Sequence, residues 1–224
     1  MKDVFLLDLD DTLLDFPRAE RVNLVRALSE AHIVATEQQL ARFHEINDML
    51  WKALERGEIT RERLLTRRFE IFLAEYNLTA DAKTLAESYF AGFPHICFPF
   101  DGAKEFVEAL SLRGRVYIVT NGSKHVQVRH IADAGFAPYL RGTFISQEIG
   151  FNKPDIRFAD FVEAHIEGYE RERAVWIGDS LTSDKLCAER RGIDFLLYAP
   201  HGAPDGYGGK YATSYGLVLQ MLKE

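Results

Sequence analysis

Four short stretches of this 224-residue chain carry carboxylates, hydroxyls and an ammonium in patterns that could do chemistry. The first is DLDDTLL, in which Asp8, Asp10 and Thr12 stand at alternate positions. The second is Thr120-Asn121-Gly122 at the end of VYIVTNG, and the third is Lys153-Pro154. The fourth is GDSLTSD, with Gly178, Asp179, Ser180 and Asp184. Carboxylates that converge on one spot repel each other unless a cation sits between them or one keeps its proton. Asp8, Asp10, Asp179 and Asp184 are hard oxygen donors with no His or Cys among them. Such a set suits Mg²⁺, which keeps several waters and favours substrate phosphates. Thr120, backbone N–H groups from Asn121 and Gly122, and the Lys153 ammonium would hold the other phosphate oxygens. The chemistry so described is a phosphate ester on Mg²⁺, facing a carboxylate nucleophile.

These residues need a frame that brings them together. Short apolar runs at Val4–Leu9, Val116–Val119, Thr143–Ile145, Val175–Ile177 and Phe195–Tyr198 are of strand length and lack clean alternation. That pattern suits strands buried on both faces of a parallel sheet. Helical patterns at Ala103–Leu112, Ser123–Ala134, Ile156–His165 and Ser183–Arg191 lie between most of them, which predicts a doubly wound α/β, Rossmann-like fold. In such a sheet ligands bind outside the carboxyl ends of the strands, where all four chemical stretches fall. From Phe16 to Cys97 only helical periodicity is seen, with Leu24 and Leu28 marking one helix and Leu40, Phe43, Leu50 and Leu54 a second. Leu65, Phe69, Phe72 and Tyr76 mark a third. Thr36 with Gln39 forms a capping box for the second helix, Gly57 ends it, and Thr60 caps the third. The expected organisation is therefore a core of residues 1–15 and 98–224 with an all-helical cap inserted over 16–97.

Composition narrows the partners. A net charge of −7 denies the chain the electrostatic footprint of a nucleic-acid binder, and no run reaches about 18 apolar residues, the length that spans a bilayer. The expectation is a cytoplasmic protein, monomer or homodimer, acting on a small phosphate ester, with neither membrane nor nucleic-acid polymer as partner. Cys97 and Cys187 stand far apart without a CxxC pattern and are expected as reduced thiols. The seven His residues show no HxH or HExxH spacing, so zinc is not expected.

The motifs resemble those of the haloacid dehalogenase-like (HAD) hydrolases, in that family's order: DLDDT, VYIVTNG, Lys153 and GDSLTSD. The resemblance covers nearly the whole chain, the helical cap included. Within the superfamily, INDMLWKALERGEIT followed by RRFE looks most like the pyrimidine 5′-nucleotidase branch. The resemblance implies that Asp8 is the nucleophile, forming an aspartyl-phosphate and binding the metal. It implies that Asp10 is the general acid/base, with its backbone carbonyl on the metal. Thr120 and Lys153 would bind phosphate, Lys153 also balancing Asp8, and Asp179 would be the second metal carboxylate. Asp184 would support Lys153 or a metal-bound water. After Asp184 the chain reads KLCAERRG, more charged than the family's usual helix. A phosphosugar mutase or a phosphatase of sugar phosphates or phosphoglycolate shares these core motifs, and a silent binding module shares the fold. The presence of Asp8 and Asp179 argues against the silent module. Asp10 argues against a dehalogenase, since a departing halide needs no acid.

Several residues carry a second reading. Asp184 also fits as a helix N-cap. Trp51, Phe69 and Phe72 fit either a base-stacking wall or the cap's own core, with Trp51 the strongest substrate contact of the three. The stretch GYGGK lacks the spacing of a phosphate loop and reads as a surface loop.

Overall fold

A computed structural model describes residues 2–223. The chain divides into two compact units, residues 1–15 with 99–224, and residues 16–98.

The first unit is a parallel six-stranded sheet. Its elements in chain order are β1 (Val4–Leu7), β2 (Arg115–Thr120), β3 (Gly142–Ile145), β4 (Ala174–Gly178), β5 (Asp194–Tyr198) and β6 (Tyr211–Ala212). The spatial order is β3-β2-β1-β4-β5-β6, every pair parallel. Strand order reverses at β1, which pairs with β2 through Leu7 and Ile118 and with β4 through Leu7 and Ile177. That reversal opens the crevice in which ligands of such sheets sit. Val4, Leu6, Val119 and Trp176 pack on one face with Phe158, Ala159, Val162, Cys187 and Ala188. Their neighbours Phe5, Leu7, Ile118 and Ile177 are buried too. Both faces are thus covered, which is why the strands read as continuous apolar runs.

The second unit holds four helices, α1 (Phe16–Glu30), α2 (Glu37–Glu55), α3 (Arg61–Glu75) and α4 (Ala82–Gly92). Thr36 and Gln39 close a reciprocal capping box on α2, and Thr60 caps α3 through the Arg63 N–H. Phe43 touches Phe69, Phe72 and Tyr89 with ring centroids 5.0, 5.5 and 5.7 Å apart. Phe69 and Phe72 are therefore core residues of this unit, not a wall offered to substrate. Of the expected α3 stripe, Phe69 and Phe72 are fully buried, whereas at its ends Leu64 and Leu73 are buried and Leu65 and Tyr76 only half-buried. A polar chain also runs through the unit: Asn47 donates to Glu20 at 2.7 Å and accepts from Arg68 at 2.9 Å.

The helices of the first unit are α5 (Ala103–Ser111), α6 (Lys124–Asp133), α7 (Ser146–Ile149), α8 (Ile156–Ala164), α9 (Leu186–Arg191) and α10 (Tyr215–Met221). Three details differ from expectation. β1 ends at Leu7, not Leu9, so the chain leaves the sheet at Asp8, the first reactive position. The helix expected from Ser183 begins as a π-helical turn, Leu181–Lys185, and becomes α9 only at Leu186. The short β6 and helices α4, α7 and α10 escaped the periodicity reading. Cys97 and Cys187 are both free thiols.

The chain leaves the first unit and returns to it through one doorway. Leu14 forms an antiparallel bridge with Pro99, and the Phe100 N–H donates to the Leu13 carbonyl at 3.0 Å.

Candidate active site

The ends of β1, β2 and β4 bring most of the reactive residues into one pocket at the switch point. Asp8 follows β1, and its N–H donates to the Ile177 carbonyl of β4 at 2.9 Å, which holds the turn against the neighbouring strand. Lys153 reaches in from the loop before α8, with its side chain almost wholly buried. Its Nζ donates to Asp8 Oδ1 at 2.5 Å, Asp184 Oδ1 at 2.6 Å and the Val119 carbonyl at 2.9 Å. All three of its protons are thereby used. Burial alone would lower the Lys153 pKa, but Asp184 and Asp8 overcome it and hold the ammonium well above its usual range.

Asp179 sits at the end of β4, where its Oδ1 accepts from Thr12 Oγ1 at 3.2 Å. Asp184 lies in the π-helical turn, whose wider backbone carries the carboxylate inward against the strand. It accepts from Lys153, from Trp176 Nε1 at 3.1 Å and from the Ser180 N–H at 3.3 Å. This packing requires glycine at 178, because a Cβ there would stand 2.3 Å from Asp184 Oδ2. Asp8, Asp179 and Asp184 each present an oxygen such that all lie within 4.8 Å of one another.

The electrostatics follow from that crowding. Burial pushes the Asp8 carboxyl up to about 8, Asp184 adding to the rise and Lys153 opposing it. Burial likewise lifts Asp179 well above the carboxylate range, helped by the charges of Asp8, Asp184 and Asp11. One ammonium does not balance three carboxylates. Hard oxygen donors with surplus negative charge fit a divalent cation such as Mg²⁺, and Asp8, Asp179 and Asp184 are the residues that would hold it.

On the other side of Asp8, the Thr120 Oγ1 accepts from the Gly122 N–H at 3.0 Å, which leaves its own proton to donate. The Asn121 side chain is spent on Lys153: Nδ2 donates to the Lys153 carbonyl at 2.9 Å, and Oδ1 accepts from the Lys153 N–H at 2.8 Å. Asn121 therefore fixes the lysine's backbone, and the Lys153–Pro154 peptide within this clasp is cis. Asp10 is half-buried, and its Oδ2 accepts from Gln127 Nε2 of α6 at 2.7 Å. Burial raises its carboxyl above the usual value, against the lowering effect of Gln127 and His130.

Trp51 belongs to the helical unit, where it is half-buried with the Arg61 guanidinium 5.4 Å over its ring. The charged run after Asp184 is accounted for: Cys187 and Ala188 face inward, Lys185 pairs with Glu189, and Arg190 donates to the Pro154 carbonyl. Sequence reasoning missed Gln127 and Trp176. Gln127 was detectable as a polar residue on the buried stripe of α6 with Val126, His130 and Ile131. Nothing marked Trp176 apart from an ordinary strand aromatic.

Comparison with known proteins agrees with this geometry. A family model described as haloacid dehalogenase-like hydrolase matches residues 2–190. The HAD-hydrolase YfnB of Bacillus subtilis is 34% identical over 200 residues, covering 89% of this chain and 85% of its own. A crystal structure of YfnB bound to magnesium superposes with a TM-score of 0.93 at 30% identity, covering 100% of this chain and 99% of that one. The pyrimidine 5′-nucleotidase PynA of Streptococcus pneumoniae is 33% identical over 197 residues, 88% of this chain and 83% of its own. The pyrimidine 5′-nucleotidase YjjG of Escherichia coli is 26% identical over 222 residues, 98% and 97% of the two chains. The chain belongs to the haloacid dehalogenase-like hydrolases, as an enzyme of phosphoric monoester hydrolysis. Among the described residues no helix is long and apolar enough to cross a membrane.

Proposed function

We propose that this chain is a Mg²⁺-dependent 5′-nucleotidase that hydrolyses nucleoside 5′-monophosphates, pyrimidine ones foremost, through an aspartyl-phosphate on Asp8. The observation that carries the reading is the buried Lys153 ammonium bridging Asp8 and Asp184 beside the third carboxylate, Asp179. It ties down Asp8 Oδ1, and Oδ2 has no protein donor among the described residues, so Oδ2 is the atom that attacks phosphorus. The bond from phosphorus to the ester oxygen breaks as the new one forms, and Asp10 gives the departing alkoxide its proton. Asp10 then takes a proton from the water that hydrolyses the acyl phosphate. Thr120 and the N–H groups after β2 hold the phosphoryl oxygens in line, while the Lys153 ammonium, its protons given to Asp8, Asp184 and the Val119 carbonyl, adds its charge beside them. Asp8, Asp179, Asp184 and the Asp10 carbonyl would hold Mg²⁺, which when bound would supply positive charge to the phosphoryl oxygens. The helical unit, residues 16–98, is the base-selecting cap, with Trp51 as its stacking surface.

Two relatives named as pyrimidine 5′-nucleotidases support the choice of substrate. The test is a hydrolysis screen with Mg²⁺ over nucleoside 5′-monophosphates, sugar phosphates and phosphoglycolate, scored by kcat/KM. Preference for uridine or thymidine 5′-monophosphate by a decade or more is the expected result. Preference for a sugar phosphate or phosphoglycolate overturns the substrate assignment.

A further inference from the structure

We propose that Gln127 is a positioning residue, which fixes the Asp10 carboxyl by one oxygen so that the other alone handles the proton. The inference rests on the phosphatase reading above. Gln127 lies on α6, is 2% exposed, and donates through Nε2 to Asp10 Oδ2 at 2.7 Å. A carboxylate oxygen that accepts an amide N–H is the wrong oxygen to hold a proton, because the donor favours its charged form. Among the described residues nothing donates to Asp10 Oδ1. The proton that goes to the leaving group, and later comes from water, therefore resides on Oδ1.

Two further observations point the same way. Gln127 Oε1 is buried and accepts no bond among the described residues. A buried acceptor left unsatisfied weighs against folding, so Oε1 gives the fold no reason of its own to keep an amide here, and the bond that Nε2 makes to Asp10 is what the amide supplies. The second observation is Gly122. A Cβ there would stand 1.7 Å from Gln127 Nε2, the very atom that holds Asp10. The glycine of Thr120-Asn121-Gly122 leaves the channel through which the amide arm passes. Its φ does not lie in the left-handed region, so alanine is allowed there by the backbone, and only the flexible arm would be displaced.

The experiment uses the full chain with Mg²⁺. Gln127→Leu and Gly122→Ala are each made alone and in an Asp10→Ala background. Single-turnover cleavage is followed with uridine 5′-monophosphate, whose alkoxide must be protonated, and with p-nitrophenyl phosphate, whose phenolate leaves unaided. KM and Tm are measured alongside. With the nucleotide, both single variants should lose about 10- to 100-fold in kcat, the size of a misplaced catalytic group, with KM within about twofold. With p-nitrophenyl phosphate the cleavage step of Gln127→Leu should barely change. Gln127→Leu loses the bond to Asp10 as it removes the unpaired Oε1, so its Tm should stay within a few degrees of that of the unsubstituted protein. In the Asp10→Ala background neither substitution should cost anything more, since the carboxyl to be positioned is gone. Equal losses on both substrates, or losses that add in the Asp10→Ala background, would overturn the inference and leave the function reading intact. If Asp10→Ala itself leaves nucleotide cleavage unimpaired, the acid/base reading falls and takes this inference with it. Should Gln127→Leu fail to fold, Gln127→Met, which keeps the length of the arm without its N–H, carries the same comparison.

Discussion

Replacing Lys153 by methionine keeps the length of the side chain and removes one charge from the most crowded electrostatic spot in the molecule. Lys153 gives two charge-assisted bonds, at 2.5 Å to Asp8 and 2.6 Å to Asp184, and one to the Val119 carbonyl at 2.9 Å. Removing one partner of a buried ion pair typically costs about 3–5 kcal/mol, because the stranded charges remain. At about 2–4 °C per kcal/mol for a chain of this size, Tm should fall by about 6–20 °C. The loss has a defined pH dependence. The folded Asp8 carboxyl already lies raised, at about 8, and removing the ammonium raises it further. A carboxyl raised in the folded state contributes no penalty below its ordinary value of 3.8 and a growing one as pH rises toward the folded value. While both proteins keep the folded Asp8 protonated they share this penalty, so the Asp8 part of the gap between Lys153→Met and the unsubstituted protein should be flat below about pH 7 and widen only above the parent's folded value of about 8. Thermal unfolding followed by circular dichroism in excess chelator reads it directly. A gap that fails to widen between pH 7 and pH 9, or stays below about 1 kcal/mol at pH 9, would refute the charge balance drawn here.

Asp8→Asn is isosteric and should fold with near-unchanged Tm but turn over at less than about 1% of the parent rate, measured as phosphate release. Chelation by EDTA should abolish hydrolysis and Mg²⁺ restore it, whereas Ca²⁺, with longer bonds and higher coordination number, should restore it poorly. Full activity in excess chelator would contradict the metal assignment. Trp51→Ala should weaken kcat/KM for nucleotides by about one to two decades, the worth of one base stacked on an aromatic ring, and spare p-nitrophenyl phosphate. Equal loss on both substrates together with a lowered Tm would instead make Trp51 a packing residue.

What could be read from the residues depended on whether a signal was local. The five longer strands were legible because both faces of each are buried, so the apolar runs are continuous and end at polar rims. Asp8, Asp179 and Asp184 were legible because each stands at or just beyond the end of such a run, and the sheet does the gathering. The helical character of residues 16–98 was legible from spacing and from the caps at Thr36 and Thr60, yet α4 was not separated from the rest. Its segment of the insert, DAKTLAESYFAG, is rich in small residues that leave a faint stripe. The short β6 has only two residues, and pairing alone defines it. Close approach was the least legible property. That Gly122 makes room for Gln127, and Gly178 for Asp184, depends on which side chain arrives from elsewhere in the chain. Asn121 was expected at the phosphate for the same reason; its neighbour across the loop, Lys153, takes up both of its polar atoms.

The bridge between Leu14 and Pro99 gives the chain a modular grammar. Because the outgoing and returning strands are hydrogen-bonded to each other before the helices begin, the catalytic unit closes on itself irrespective of what is threaded between them. The cost of closing a flexible loop grows only as the logarithm of its length, each doubling adding about 0.6 kcal/mol. A doorway already clasped makes even that small term insensitive to the insert. Selection acting on residues 16–98 can then lengthen, shorten or exchange the helices without renegotiating the carboxylate cluster, so that chemistry and choice of substrate evolve at separate rates along one continuous gene.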